Sequence, residues 1–252
     1  MPLPSLLVVG AMKCGTTALH TALGLHPDVD APPGKELNFF VGDDHPEPGS
    51  PAADPEEDWR WGRWHRGPGW YAAQFGDAPV RGEASPAYSS PTGGPVAAPR
   101  IAALLPDVRL VALVRDPLAR AVSQWRHHVR DGTEPRPLAD ALLDPRSEYL
   151  ARSRYDDRLA PLRTCVPGWR DQLLVVVQER LRVEPRREVA RVLAHVGADP
   201  GVWDERMADA AHVGAGDPPP VPRPLADAVR EAVADDVARL RERLGDELPE
   251  WG

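Results

Sequence analysis

Residues 6–27 read LLVVGAMKCGTTALHTALGLHP, and no other stretch limits the possible folds so sharply. An apolar run over residues 6–9 stops at Gly10, and helical spacing takes over at residues 16–25. The first predicts a short buried strand and the second a helix. A buried strand passing directly into a helix is the unit of a parallel α/β sheet. Between them lies GAMKCGTT, where free backbone N–H groups and the positive end of the helix dipole would face a small anion. Gly15 permits close backbone approach, Thr16 and Thr17 each offer a hydroxyl, and Lys13 adds a mobile point charge. The same spacing also suits a tight turn with no ligand, so the loop needs partners elsewhere in the chain.

The order of residues matters as much as their presence. The nucleoside-triphosphatase loop, G-x-x-x-x-G-K-[ST], places its lysine directly after the last glycine and its hydroxyl on Mg²⁺. Here Lys13 precedes Gly15. That departure fits a loop handling a 5′-phosphate with no metal.

The alternation continues downstream. Residues 108–114 (VRLVALV) and 173–177 (LLVVV) read as buried strands, and residues 118–129, 187–195 and 225–244 as helices. Continuous β-branched runs between amphipathic helices predict a three-layer α/β fold of the P-loop type, with a central parallel sheet flanked by helices. The 252 residues suffice for one domain, expected over 1–252 with long insertions at about 42–71 and 212–224. A net charge of −8 argues against a nucleic-acid or anionic-membrane surface over the whole chain. The two cysteines, Cys14 and Cys165, are far apart, which points to a reducing compartment. With no basic leader and no long apolar span, a cytoplasmic protein is expected.

Two further clusters carry chemistry. Arg115 follows a predicted strand directly, Asp116-Pro117 opens the next helix, and Ser123 lies two turns in; this pair could clamp a second phosphate, or could be a cap and a surface serine. GKELNFF, residues 34–40, sets Glu36 beside Lys35, either as a solvated charge pair or as a base for an attacking hydroxyl or amine. Only two basic residues in the chain are lysines, Lys13 and Lys35, and both belong to these motifs. Where arginine serves for every other positive charge, a compact ammonium at these positions implies a distinct task.

Taken in order, these segments resemble the sulfotransferases that use 3′-phosphoadenosine 5′-phosphosulfate (PAPS), above all the heparan sulfate sulfotransferase type and its bacterial relatives. VVGAMKCGTTALHTALGLHPDV looks like the 5′-phosphosulfate loop and helix, and KELNFF like the segment bearing the catalytic glutamate. GWYAAQF, RGEASPAYSSP, RLVALVRDPLARAVSQW and LLVVVQERLRVEP are similar to further family blocks, as is the ending LGDELPEW. The resemblance implies that Lys13, Cys14, Gly15, Thr16 and Thr17 hold the 5′-phosphosulfate and that Arg115 and Ser123 hold the 3′-phosphate. It implies Glu36 as general base and Lys13 as the cation that stabilises the leaving oxygen, with 3′-phosphoadenosine 5′-phosphate (PAP) as product and no metal. Three departures stand out. Ala84 occupies a position where many relatives have a second lysine. The basic loop that closes over the nucleotide in relatives has only a doubtful counterpart in HVGAGDPPPVPRP. The cysteine pair of Golgi relatives is missing.

A small hydroxylated acceptor, such as a natural-product intermediate, is the expectation, with an amine less favoured and neither nucleic acid nor membrane as partner. Trp59, Trp61, Trp64, Trp70 and Tyr71, interleaved with Arg60, Arg63 and Arg66, either line an acceptor cleft or staple a surface loop. Arg152, Ser153 and Tyr155 are further candidates for the site. His20 is expected to pack on the first helix, and His127 and His128 are given no role. The alternatives are a small-molecule kinase using ATP and Mg²⁺, or a nucleotide-binding relative without activity.

Overall fold

The computed structural model describes residues 2–212 and 220–251. In chain order its principal elements are β1 (Leu6–Gly10), α1 (Thr16–Leu23), β2 (Val29–Asp30), β3 (Val80–Ala84), α2 (Gly93–Leu104), β4 (Arg109–Val114), α3 (Pro117–Arg130), α4 (Tyr155–Cys165), β5 (Leu173–Val177), α5 (Gln178–Val183), α6 (Pro185–Val196), α7 (Glu205–His212) and α8 (Arg223–Leu244). The strands form one five-stranded sheet in the order β2-β3-β1-β4-β5. Every neighbouring pair is parallel.

Strand periodicity explains the layers. Side chains on a strand alternate between faces. Leu6 and Val8 of β1 therefore join the buried cluster under α1, α6 and α7, with Leu19, Val192 and Met207. Leu7 and Val9 join the cluster on the opposite face, under α2 and α4, with Ile101 and Leu162. Because both faces are covered, β1 reads as a continuous apolar run with no alternation. This is the three-layer arrangement expected from the sequence. A third apolar cluster packs α3 against α8, through Leu118, Val122, Leu225 and Val229.

The insertion at 42–71 carries short helices around a buried carboxylate. Asp58 is fully buried and accepts from Arg63 Nε at 2.9 Å and Arg66 Nε at 2.5 Å. Both guanidinium groups lie over the Trp70 ring, and Arg100 lies over Trp64. Phe39 stacks on Tyr71 with ring centroids 4.1 Å apart. Trp64, Trp70 and Tyr71 thus staple the segment to the sheet, the second of the two readings of this stretch. The expected loop at 212–224 lies largely outside the described residues, which resume at 220, and α8 begins at Arg223. Among the described residues no helix is long and apolar enough to cross a membrane.

Candidate active site

The strand order creates the site. From β1, near the middle of the sheet, the chain leaves toward β2 and β3; from β4, its neighbour, it leaves toward β5. Loops departing in opposite directions from adjacent parallel strands open a crevice at their carboxyl ends. The register between β1 and β4 shifts after Val8, and Ala11 N–H reaches across to Leu113 O at 2.8 Å.

The loop after β1 is tightly constrained. A side chain at Gly10 would meet Ser89 Oγ at 1.9 Å, so only glycine fits there. Lys13 has φ +69° and Gly15 φ +92°, both left-handed. Left-handed backbone is costly for a residue with a side chain and persists where the surroundings enforce it, often at functional sites. No side chain caps the first turn of α1, which leaves its opening amide groups available to an anion.

Two loops meet above this turn. Arg115, the first residue past β4, donates through Nη1 to Lys13 O at 3.4 Å. Tyr155 is buried in α4; its hydroxyl donates to Arg115 O at 2.7 Å and lies 3.5 Å from Cys14 Sγ. One phenol thereby fixes both loops. Asp116 caps α3 by accepting Ala119 N–H at 2.7 Å. Ser123 lies further along α3, on the wall of the crevice.

The third wall comes from residues 35–38. Glu36 has φ +65° and Asn38 φ +50°, and Glu36 N–H donates to Ala84 O, at the end of β3. Lys35 Nζ lies 2.5 Å from Glu36 Oε1. Beneath this turn is a buried carboxylate that sequence reasoning missed. Glu83 accepts from Ser85 Oγ at 2.5 Å, Tyr88 Oη at 2.5 Å and Tyr71 Oη at 2.9 Å. Burial raises the Glu83 carboxyl above the usual range, against the pull of these three hydroxyls. Ser85 Oγ in turn accepts Asn38 N–H at 3.0 Å, which ties the network to the strained turn.

These walls enclose a cleft of about 350 Å³ that Lys13, Gly15, Thr16, Thr17, Glu36, Arg115 and Ser123 all line. The structure brings together every residue assigned to the site from the sequence except one. Cys14 has no exposed surface, its side chain lies in the core under Tyr155, and its amide donates to Ala11 O at 3.1 Å. Its thiol, desolvated by burial, is pushed up to about 11. Burial, then the nearby Arg130 and Arg115, hold the Lys13 ammonium below its ordinary value.

Arg152, Ser153 and Tyr155 do not line the cleft. Arg152 pairs with Glu148, and buried Ser153 accepts from Arg120 Nε at 2.6 Å. His20 packs on α1 as expected, with Nε2 3.0 Å from Pro32 O. His127, given no role from the sequence, does line the cleft. It sits four residues after Ser123 on the same helix face, a spacing that could have revealed it. Gln178 and Arg182, past the end of β5, complete the wall. Among the described residues Lys13, Arg115 and Arg182 have no carboxylate partner within 4.0 Å.

A parallel sheet with helices on both faces and a crevice at the carboxyl ends of β1 and β4 defines an α/β fold of the P-loop type. A family model described as "Sulfotransferase family" matches residues 95–205. The solved sulfotransferase from Alicyclobacillus acidocaldarius superposes with a TM-score of 0.80 at 26% identity, over 100% of this chain and 99% of that one. The human bifunctional heparan sulfate N-deacetylase/N-sulfotransferase 1 is 28% identical over 219 residues, which covers 77% of this chain and 22% of that protein. The mouse heparan sulfate glucosamine 3-O-sulfotransferase 3A1 is 27% identical over 217 residues, 81% of this chain and 48% of that protein. The chain thus spans less than half the length of these two relatives. In sequence and in fold the chain is thus similar to sulfotransferases.

Proposed function

We propose that the protein transfers a sulfuryl group from PAPS to the hydroxyl of a small-molecule acceptor. The observation that carries this reading is the convergence of Lys13, Thr16, Thr17, Arg115, Ser123 and Glu36, from three separate stretches of sequence, on one cleft. The cleft fits a bisphosphorylated nucleotide: cations without carboxylate partners line it, a helix amino terminus opens onto it, and its volume suits a ligand of that size. The loop of Lys13 and α1 holds the 5′ end of the nucleotide, and Arg115 with Ser123 holds its 3′-phosphate. Lys13 neutralises the charge that grows on the leaving oxygen. Glu36, on the facing wall, takes the acceptor proton.

Thermal unfolding with PAP, compared with ATP and Mg²⁺, tests the donor. A ligand at about 100 times its Kd adds roughly 2.7 kcal/mol, which for a chain of this size raises the midpoint by roughly 5–10 °C. A shift with PAP alone is expected; a shift only with ATP and Mg²⁺ would establish the kinase reading instead. The names of the relatives include heparan sulfate enzymes acting at nitrogen and at oxygen, so a glycan acceptor is the competing reading. Acceptor trials should therefore pair simple phenols and alcohols with a desulfated glycan. Turnover on the glycan alone would overturn the small-molecule assignment.

A further inference from the structure

We infer that Lys35 is a second cation of the reaction, holding the sulfuryl oxygens of the donor while Lys13 serves the phosphate side. This rests on the sulfotransferase reading and assigns a part of it that neither the family likeness nor the loop motif supplies.

Three observations lead there. First, the chain's only two lysines, separated by more than twenty residues, line the same cleft. Second, the backbone is bent to achieve this. Successive residues of extended chain point to opposite sides, yet Lys35 and Glu36 both face the cleft. The left-handed φ of +65° at Glu36 breaks the alternation. Third, the ammonium is placed, not free to roam. Its side chain is 17% exposed and lies 2.5 Å from Glu36 Oε1. An ammonium has three N–H donors, and the carboxylate engages one; the others have no partner among the described residues. β3 ends nearby in buried Ala84 and brings no cation of its own to this wall.

The geometry of the transfer identifies what those donors meet. In the in-line step a bond forms between the acceptor oxygen and sulfur. The bond from sulfur to the bridging oxygen breaks, its electron pair stays on the 5′-phosphate, and the acceptor proton passes to Glu36. Glu36 marks the attacking end and the loop of Lys13 the leaving end, so the three other sulfur-bound oxygens lie between. An ammonium bonded to Glu36 is within reach of them. The charge of Lys35 also contributes to the depression of Lys13, which places the two within electrostatic range.

PAP and PAPS differ only in the sulfuryl group, so calorimetric titration of both into the full chain isolates the contact. Lys35→Met keeps the length of the stem and removes the charge. It should weaken PAPS binding by about tenfold, the order of a charge-assisted hydrogen bond, and change PAP binding by less than about twofold. Lys13→Ala should weaken both. Lys35→Gln, which keeps a donor on a shorter polar stem, should lie between Lys35→Met and the unsubstituted protein for PAPS. Equal losses on both nucleotides, or none on either, would overturn the assignment. If the unsubstituted protein binds neither nucleotide, the sulfotransferase reading itself falls, and the role of Lys35 with it.

Discussion

The cleft beyond β1 and β4 and the segment at residues 58–71 draw on similar residues and dispose of their charge in opposite ways. In the segment, Arg63 and Arg66 converge on buried Asp58 and lie over Trp70. Their charge is consumed in holding a loop to the sheet. In the cleft, Lys13 and Arg115 have no carboxylate within ion-pair distance among the described residues, and the loop that carries Lys13 is held in left-handed backbone. Charge without a partner beside enforced strain is the signature of a site built for a ligand that brings its own negative charge. From the sequence the tryptophan-rich segment either lines an acceptor cleft or staples a surface loop; accounting for each cation's partner favours the second.

Substitutions on the two sides should therefore separate activity from stability. The largest effect is expected at Glu36. Glu36→Gln removes the proposed proton acceptor and should lower turnover by about 10²–10⁴-fold, while PAP should still raise the unfolding midpoint as much as it does for the unsubstituted protein. Surviving turnover would remove Glu36 from its role as base. Asp58→Ala should do the reverse. It leaves two guanidinium groups without their carboxylate and should cost about 3 kcal/mol, the low end for a broken buried ion pair, because both retain some contact with water. That corresponds to a midpoint lower by roughly 6–12 °C. Turnover per folded molecule should stay near native; a large loss would mean that the segment reaches the acceptor after all. Arg115→Ala should weaken PAP binding by about 10–100-fold, the loss of a charged hydrogen bond to phosphate, with a smaller effect on the ligand-free midpoint than Asp58→Ala. If PAP affinity is unchanged, the 3′-phosphate lies elsewhere.

What the sequence disclosed follows from how each element is stabilised. β1, β4 and β5 are covered on both faces and read as unbroken apolar runs, so they were legible. β3 was not, because Arg81 and Glu83 interrupt it; Glu83 is tolerated in the core only through the hydroxyls of Ser85, Tyr88 and Tyr71, which no local pattern announces. α2 and α4 were hidden by Pro99 and Pro161 within them. That the loop after β1, Arg115 and Glu36 would stand near one another was legible because each lies at a strand end or inside a compact motif. His127 was passed over although Ser123 lies one turn before it. Gln178 and Arg182 reach the cleft only because β5 lies beside β4, a fact of topology. Tyr155, a further candidate for the site, is instead the pin beneath it.

Cys14 gives the smallest effect and the finest test of the comparison, because it lies within the loop and yet belongs to the core. Its neighbours Lys13 and Gly15 face the cleft, whereas its own side chain is enclosed with Tyr155. Burial pushes its thiol up to about 11 from an ordinary value near 9.0. The nucleophile toward alkylating agents is the thiolate, so at pH 8 the folded protein should hold Cys14 almost wholly as the unreactive thiol. Partly exposed Cys165 should react first. As pH rises toward 10, Cys14 should remain slow because both access and ionisation oppose it, and its labelling should follow the opening of the loop. PAP, by tying that loop to α1 and Arg115, should slow Cys14 labelling further and leave Cys165 unchanged. Mass-spectrometric rates for the two cysteines, with and without PAP, measure this directly. Rapid labelling of Cys14 at pH 8, blocked by PAP, would instead place the thiol in the cleft and return it to the residues proposed to touch the nucleotide.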